Sequence, residues 1–173
     1  MAANEKADEK SYIDMAMGKT ASPLSAAILF GATLNNAKPY QIEHLEGYSL
    51  LVGLAFQIQD DIIDISEGMN KGRNIGSDLK RGNKTLMVMK ALKEGDERQR
   101  KIILNILGKD KAANSQTREA IKAIEETDSL KYASDYADNK VKEAKKCLKK
   151  AKLTREGHEF FSNFADYVVR RKT

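Results

Sequence analysis

The chain of 173 residues has no tryptophan, two prolines, one cysteine and two histidines. A single cysteine excludes an internal disulfide and any cysteine-built zinc module. Cys147, in a lysine-rich segment, fits a reducing compartment. His44 and His158 lie far apart without ligand spacing, which argues against a histidine-built metal site. So few prolines, with only 11 glycines, rule out collagen-like and low-complexity classes. Long apolar runs are also missing. The longest, Leu50 to Phe56, falls far short of the roughly 20 residues that span a bilayer. Residues 1–10 are polar and mixed in charge, unlike a signal peptide with its apolar centre. These absences predict a cytoplasmic protein.

What is present suits a packed core. Hydrophobic residues make up 41% and charged residues 32%, which argues against a disordered chain. The length suits one domain or part of a larger one. Lys and Arg number 30 against 25 Asp and Glu, a surplus of five. Between Lys109 and Arg155 there are 13 basic and 8 acidic residues; the remainder holds 17 of each. The surplus therefore belongs to the last third, densest at Lys140 to Lys152. There Val141, Ala144, Leu148 and Ala151 form a helical stripe among the lysines, so the charge reads as a solvated helix face. No stacking aromatics or nucleic-acid motif accompany it, so no nucleic-acid partner is expected.

Apolar spacing is helical almost throughout, which predicts an all-α fold. Ile13, Met17, Ala21, Leu24, Ile28 and Phe30 to Leu34 mark a first long helix that Pro23 should kink. Asn35-Asn36 ends it, and Pro39 opens a second helix running to about Ser66. The second helix is apolar on nearly every face, which implies burial in a bundle. Gly68, Gly72, Gly76 and Gly82 then mark a loop from Gly68 to Asn83. Loops of that length inside compact domains are often functional. Helical spacing resumes at Leu86 and continues near 97–107, 115–126, 129–152 and 154–170. The last of these should bury a stripe of Phe160, Phe161, Phe164, Tyr167 and Val168.

The chemistry concentrates in Phe56-Gln57-Ile58-Gln59-Asp60-Asp61-Ile62-Ile63-Asp64. On a helix, Gln57, Asp60, Asp61 and Asp64 stand at i, i+3, i+4 and i+7 and share one face. Three carboxylates so placed repel one another, and burial adds to the penalty. A hard divalent cation relieves it, and Mg²⁺ typically takes one or two carboxylates together with phosphate oxygens. Basic residues follow at Lys71, Arg73, Lys80, Arg81 and Lys84, among glycines that let backbone amides approach an anion. Upstream, Gly18-Lys19-Thr20-Ala21 sets a lysine, a point-charge phosphate binder, beside a hydroxyl. Together these residues read as a magnesium diphosphate site. A P-loop is rejected, since Ile13 stands where its first glycine belongs and no strand precedes Lys19. Nucleophilic catalysis has no candidate: there is no Gly-x-Ser-x-Gly, and Cys147 has no histidine partner in sequence.

These residues together resemble the trans-isoprenyl diphosphate synthase family, which makes geranylgeranyl, farnesyl and longer polyprenyl diphosphates. Phe56 to Asp64 is similar to its second aspartate-rich motif, and Gly18 to Ala21 to its lysine-threonine-alanine helix motif. Gly76 to Thr85 is similar to its loop ending in glycine-lysine-x-threonine, and Phe164 to Arg171 to its last helix. The resemblance spans about residues 11 to 171, after a polar segment at 1–10, and implies the C-terminal half of an isoprenoid synthase fold. It implies Mg²⁺-dependent condensation of an allylic diphosphate with isopentenyl diphosphate. Asp60, Asp61 and Asp64 would hold Mg²⁺, Lys19 would contact the diphosphate, and Thr20 and Gln57 would line the cavity beside the developing cation. A homo-oligomer, or a partner carrying the N-terminal half, is implied as well.

Two features depart from the family pattern. Its loop lysine falls at Asn83, and Lys84, one place later, would substitute for it; in a helix that side chain would point about 100° away. No first aspartate-rich motif precedes Lys19, since Asp8 and Asp14 do not form one. The expectation is a chain nearly inactive by itself. Two other readings are a non-catalytic partner of a complete synthase and a helical binding module without diphosphate chemistry. A terpene cyclase is disfavoured, because its second metal motif uses Asn, Ser and Glu. Product chain length is not legible.

Overall fold

The computed structural model describes residues 8–66 and 75–171. It is all-α, and the helices follow the sequence pattern closely. They are α1 (Glu9–Ala16), a π-helical turn (Met17–Ala21), α2 (Ser22–Leu34), α3 (Pro39–Ile65), α4 (Ser77–Arg81), α5 (Leu86–Glu94), α6 (Glu97–Ile106), α7 (Asn114–Glu125), α8 (Ser129–Lys150) and α9 (Arg155–Arg170). No helix among the described residues is long and apolar enough to cross a membrane. The chain divides into two compact units. Unit 1 gathers residues 8–12 with the described part of 60–134, and unit 2 gathers Ile13–Gln59 with Asp135–Arg171.

In unit 1, α5, α6 and α7 pack together around Met87, Val88, Ala91, Ile103, Ile106, Ala120, Ile121 and Ile124, all buried. Local signals set their ends. The Thr85 hydroxyl accepts from Val88 N at the start of α5. Asp96 and Gln99 form a reciprocal capping box at the start of α6, which satisfies two otherwise orphaned donors. Two glycines in left-handed conformation tie α4 to the end of α6. Gly82 and Gly108 have φ of 81° and 80°, and both donate their N–H to the Leu79 carbonyl, at 3.0 and 2.9 Å. A Cβ on Gly82 would lie 3.2 Å from Gly108 Cα, so the close approach and the positive φ both call for glycine.

In unit 2, the Ser49 hydroxyl donates to Ser25 Oγ at 2.8 Å, joining α3 to α2 in a buried setting. The Tyr48 ring packs edge-on to Phe161, and its hydroxyl donates to the Phe161 carbonyl at 2.6 Å. Burial, and then the charge of Asp166, push the Tyr48 phenol well above its usual range, so it remains a donor. Lys145 and Asp166 pair at 2.7 Å between α8 and α9. Between α3 and the π-helical turn the backbones nearly touch: a Cβ on Gly53 would lie 2.4 Å from Ala21 Cα.

Three expectations need correction. The single long first helix is interrupted. Pro23 has no N–H to donate one turn back, and Ser22 N reaches five residues back to Met17 O, so the ladder widens into a π-turn where a kink was expected. Part of the predicted loop is α4, a short helix bounded by the left-handed Gly76 and Gly82; Gly68 and Gly72 lie outside the described residues. The predicted stripe of α9 is also rotated. Phe160 and Tyr167, seven apart and so on one side, are 65% and 59% exposed. Ala165 and Val168 are buried, with Phe161 and Phe164 partly covered beside them.

Gly53→Ala sets two effects against each other. Alanine favours a helix interior by about 1 kcal/mol over glycine. The new methyl must displace backbone at 2.4 Å, which no rotamer change relieves. The clash should win, with a net loss of about 1–3 kcal/mol, read as a lower urea midpoint at unchanged slope.

Candidate metal and diphosphate site

The C-terminal half of α3 carries its carboxylates on an otherwise covered helix. From Gly47 to Ile65, Asp60 is the one exposed residue. Asp61, next in sequence, is 4% exposed, and Asp64 is half-buried. Side chains that share a helix face by spacing therefore meet three different environments.

In unit 1, Asp61 Oδ2 accepts a 2.7 Å hydrogen bond from the hydroxyl of Tyr12, on α1. Tyr12 is as buried as its partner. Asp64 binds the start of α4 with both oxygens. Its Oδ1 accepts from Ser77 Oγ at 2.7 Å and Ser77 N at 3.2 Å, and its Oδ2 accepts from Asp78 N at 3.0 Å. The Asp64 carbonyl accepts from Gly76 N at 2.9 Å. The carboxylate thus satisfies orphan donors at a helix start, where negative charge is favoured. Burial raises the Asp64 pKa above its ordinary value, a shift that the Ser77 and Asp78 hydrogen bonds reduce and the Asp78 charge reinforces.

The basic residues are distributed unevenly. Lys80 on α4 is buried, and its ammonium donates to Asn114 Oδ1 at 2.9 Å. Arg81 is exposed, and Lys71 and Arg73 lie outside the described residues. Asn83, at the place of the family lysine, donates Nδ2 to Asp78 Oδ1 at 2.8 Å. Lys84 is half-buried in a stretch that is not helical, between α4 and the Thr85 cap of α5, so the condition for a 100° offset is absent. In unit 2, the Thr20 hydroxyl donates to Gln57 Oε1, so two of the predicted residues meet directly. Lys19 is exposed on the π-helical turn.

Among the described residues, no three Asp, Glu, His or Cys side chains gather closely enough to hold a metal by themselves. The oxygen donors suit a hard cation that draws one or two ligands from the protein and the rest from water and phosphate, which is the habit of Mg²⁺. Asp60 and Asp61 fit such a role, while Asp64 is engaged by α4. Sequence reasoning missed Tyr12, Ser77 and Asp78. Tyr12 gave no signal, being 49 positions from Asp61. Gly76-Ser77-Asp78 did give one, as a glycine followed by residues that favour a helix start.

Asp64→Ala removes the acceptors of Ser77 and Asp78 and should lower stability by about 1–2 kcal/mol, measured by denaturant titration. The pH dependence has a definite sign. A folded-state pKa above the unfolded one means that the native state holds the proton more tightly, so the Asp64 contribution is complete below the unfolded pKa. It is lost as pH rises through the raised folded value. Asp64→Asn should flatten that portion of the stability curve.

A polyprenyl synthetase family model matches residues 1–124. The chain is 35% identical over 165 residues to the short chain isoprenyl diphosphate synthase of Methanothermobacter thermautotrophicus, covering 95% of this chain and 50% of that protein. Its fold is similar to the decaprenyl diphosphate synthase of Rhodobacter capsulatus, with TM-score 0.85 and 28% identity over 99% of this chain and 53% of the other. It is also similar to a polyprenyl synthase of Caulobacter crescentus, solved with calcium and isoprenyl diphosphate, with TM-score 0.88 and 26% identity over 97% and 51% of the two chains. The chain spans about half the length of the curated relatives it matches. With this match and the all-α fold, the chain belongs to the polyprenyl synthetase family.

Proposed function

We propose that the chain serves prenyl transfer, the Mg²⁺-dependent condensation of an allylic diphosphate with isopentenyl diphosphate, and supplies the second aspartate-rich site. The observation that carries this reading is Asp60: the one exposed side chain on a covered half-helix, followed by a second carboxylate that accepts a buried hydrogen bond. The Caulobacter relative, solved with calcium and isoprenyl diphosphate, supports both the cation class and the ligand class. Asp60 and Asp61 offer hard oxygen ligands. Asp64 adds negative charge while it fixes α4. When bound, the divalent cation stabilises charge on the departing diphosphate.

The remaining roles follow the family motifs. Lys19 holds the diphosphate by charge from an exposed position, and Lys84 adds a second positive charge. Gln57 presents its amide beside the developing cation. The Thr20 hydroxyl, by donating to Gln57 Oε1, fixes which way that amide faces. Buried Ile58, Ile62 and Ile63 keep water from the surrounding helix. Condensation needs the remainder of the family fold, supplied within a longer chain or by a partner. Self-association through the exposed Phe30 and Leu34 of α2 is the second assembly feature of this reading.

Calorimetric titration with geranyl diphosphate checks the site. Binding should require Mg²⁺, and Asp60→Ala should weaken it about 10-fold or more without changing the fold by circular dichroism. Binding that ignores both Mg²⁺ and Asp60 would reduce the chain to a helical module without this chemistry.

A further inference from the structure

We propose that Tyr12 is a positioning residue for the Asp61 carboxylate, an inference that rests on the reading of Asp61 as a ligand to a divalent cation. The 2.7 Å bond from the Tyr12 hydroxyl is made where both residues are 4% exposed. Water has little access there, so a hydrogen bond from the phenol helps to offset the cost of burying the carboxylate. A donor held on Oδ2 also fixes the rotation of the carboxyl plane, and with it the direction of the second oxygen. Metal-binding carboxylates depend on such outer partners for their orientation.

Tyr12 is itself firmly placed. Asp8 caps the start of α1, with Oδ1 accepting from Ser11 N at 2.8 Å and Ser11 Oγ at 2.7 Å. At the next position, Glu9 accepts from the Tyr132 hydroxyl at 2.9 Å, which fastens α1 to α8 within unit 1. The Lys90 ammonium lies 4.5 Å from the centroid of the Tyr132 ring and holds that anchor in turn. The phenol thus reaches Asp61 from a helix secured at two points in its first turn, and a rigid support of this kind is what a ligand-orienting contact requires.

Tyr12→Phe keeps the buried ring and deletes only the donor. In the full chain, Mn²⁺ uptake in the presence of inorganic pyrophosphate, followed by the paramagnetic resonance signal of free Mn²⁺, should weaken about 10-fold. Asp61→Asn should weaken it as well, and adding Tyr12→Phe to Asp61→Asn should change it by less than about twofold, since the two act as a unit. Tyr48→Phe removes a buried phenol that bonds the Phe161 carbonyl, and should leave Mn²⁺ uptake unchanged. Loss with Asp61→Asn but none with Tyr12→Phe overturns the positioning role and leaves the ligand role standing. No loss with Asp61→Asn overturns the ligand role. Should Tyr12→Phe fail to fold, fluorotyrosine at position 12 gives the same decision. Its ¹⁹F signal should shift when Mg²⁺ and pyrophosphate are added, with that of position 48 unmoved; an unmoved signal at 12 overturns the inference.

Discussion

Burying a carboxylate is costly unless something answers its charge, and α3 carries three within five positions of a half-helix that is otherwise covered. The surrounding structure answers each differently. Asp60 faces solvent, Asp61 takes a phenol hydroxyl, and Asp64 takes the amides and hydroxyl at the start of α4. Much of unit 1 near the end of α3 serves these arrangements. α1 is capped and anchored so that Tyr12 is in reach, and the chain returns at Gly76 so that Ser77 and Asp78 meet Asp64.

Asp64 joins the end of α3 to Gly76, Ser77 and Asp78 by main-chain and side-chain bonds together. That junction sets the place of α4, and the Leu79 carbonyl then ties α4 to the glycine turn after α6. A residue that the motif presents as one ligand among three therefore also has the structural duty of placing α4. The net charge of the chain has little bearing on this. Five acidic and five basic residues lie between Asp60 and Lys84, so local arrangement, and not surplus, governs the chemistry.

Much of the fold was legible because helical periodicity and end signals agreed. Pro39 and the apolar run behind it gave α3 almost to the residue, and apolar spacing placed the later helices, whose capping side chains at Thr85, Asp96 and Thr154 only the structure shows. The failures share a cause: the deciding partner was distant or its effect was subtle. Pro23 announced a disturbance, but a kink and a π-turn both follow from one missing N–H. Glycines at both ends of Ser77–Arg81 read as loop, because their left-handed φ is a property of the backbone that composition does not reveal. On α9, apolar residues outnumbered the places facing inward, so Phe160 and Tyr167 were assigned to the wrong side. For the site, spacing placed the aspartates on one face. Their differing partners, Tyr12 and Ser77, stand 49 and 13 positions away.

The central claim is that the aspartate-bearing end of α3 takes a divalent cation together with a diphosphate. Paramagnetic broadening of backbone amide signals by Mn²⁺ tests it most directly, with and without inorganic pyrophosphate. The account predicts that substoichiometric Mn²⁺ broadens residues 60 to 64 first, more strongly when pyrophosphate is present, and spares α6 and α7. Broadening that begins at exposed acidic positions such as Glu125 and Glu126, and that ignores pyrophosphate, would contradict it.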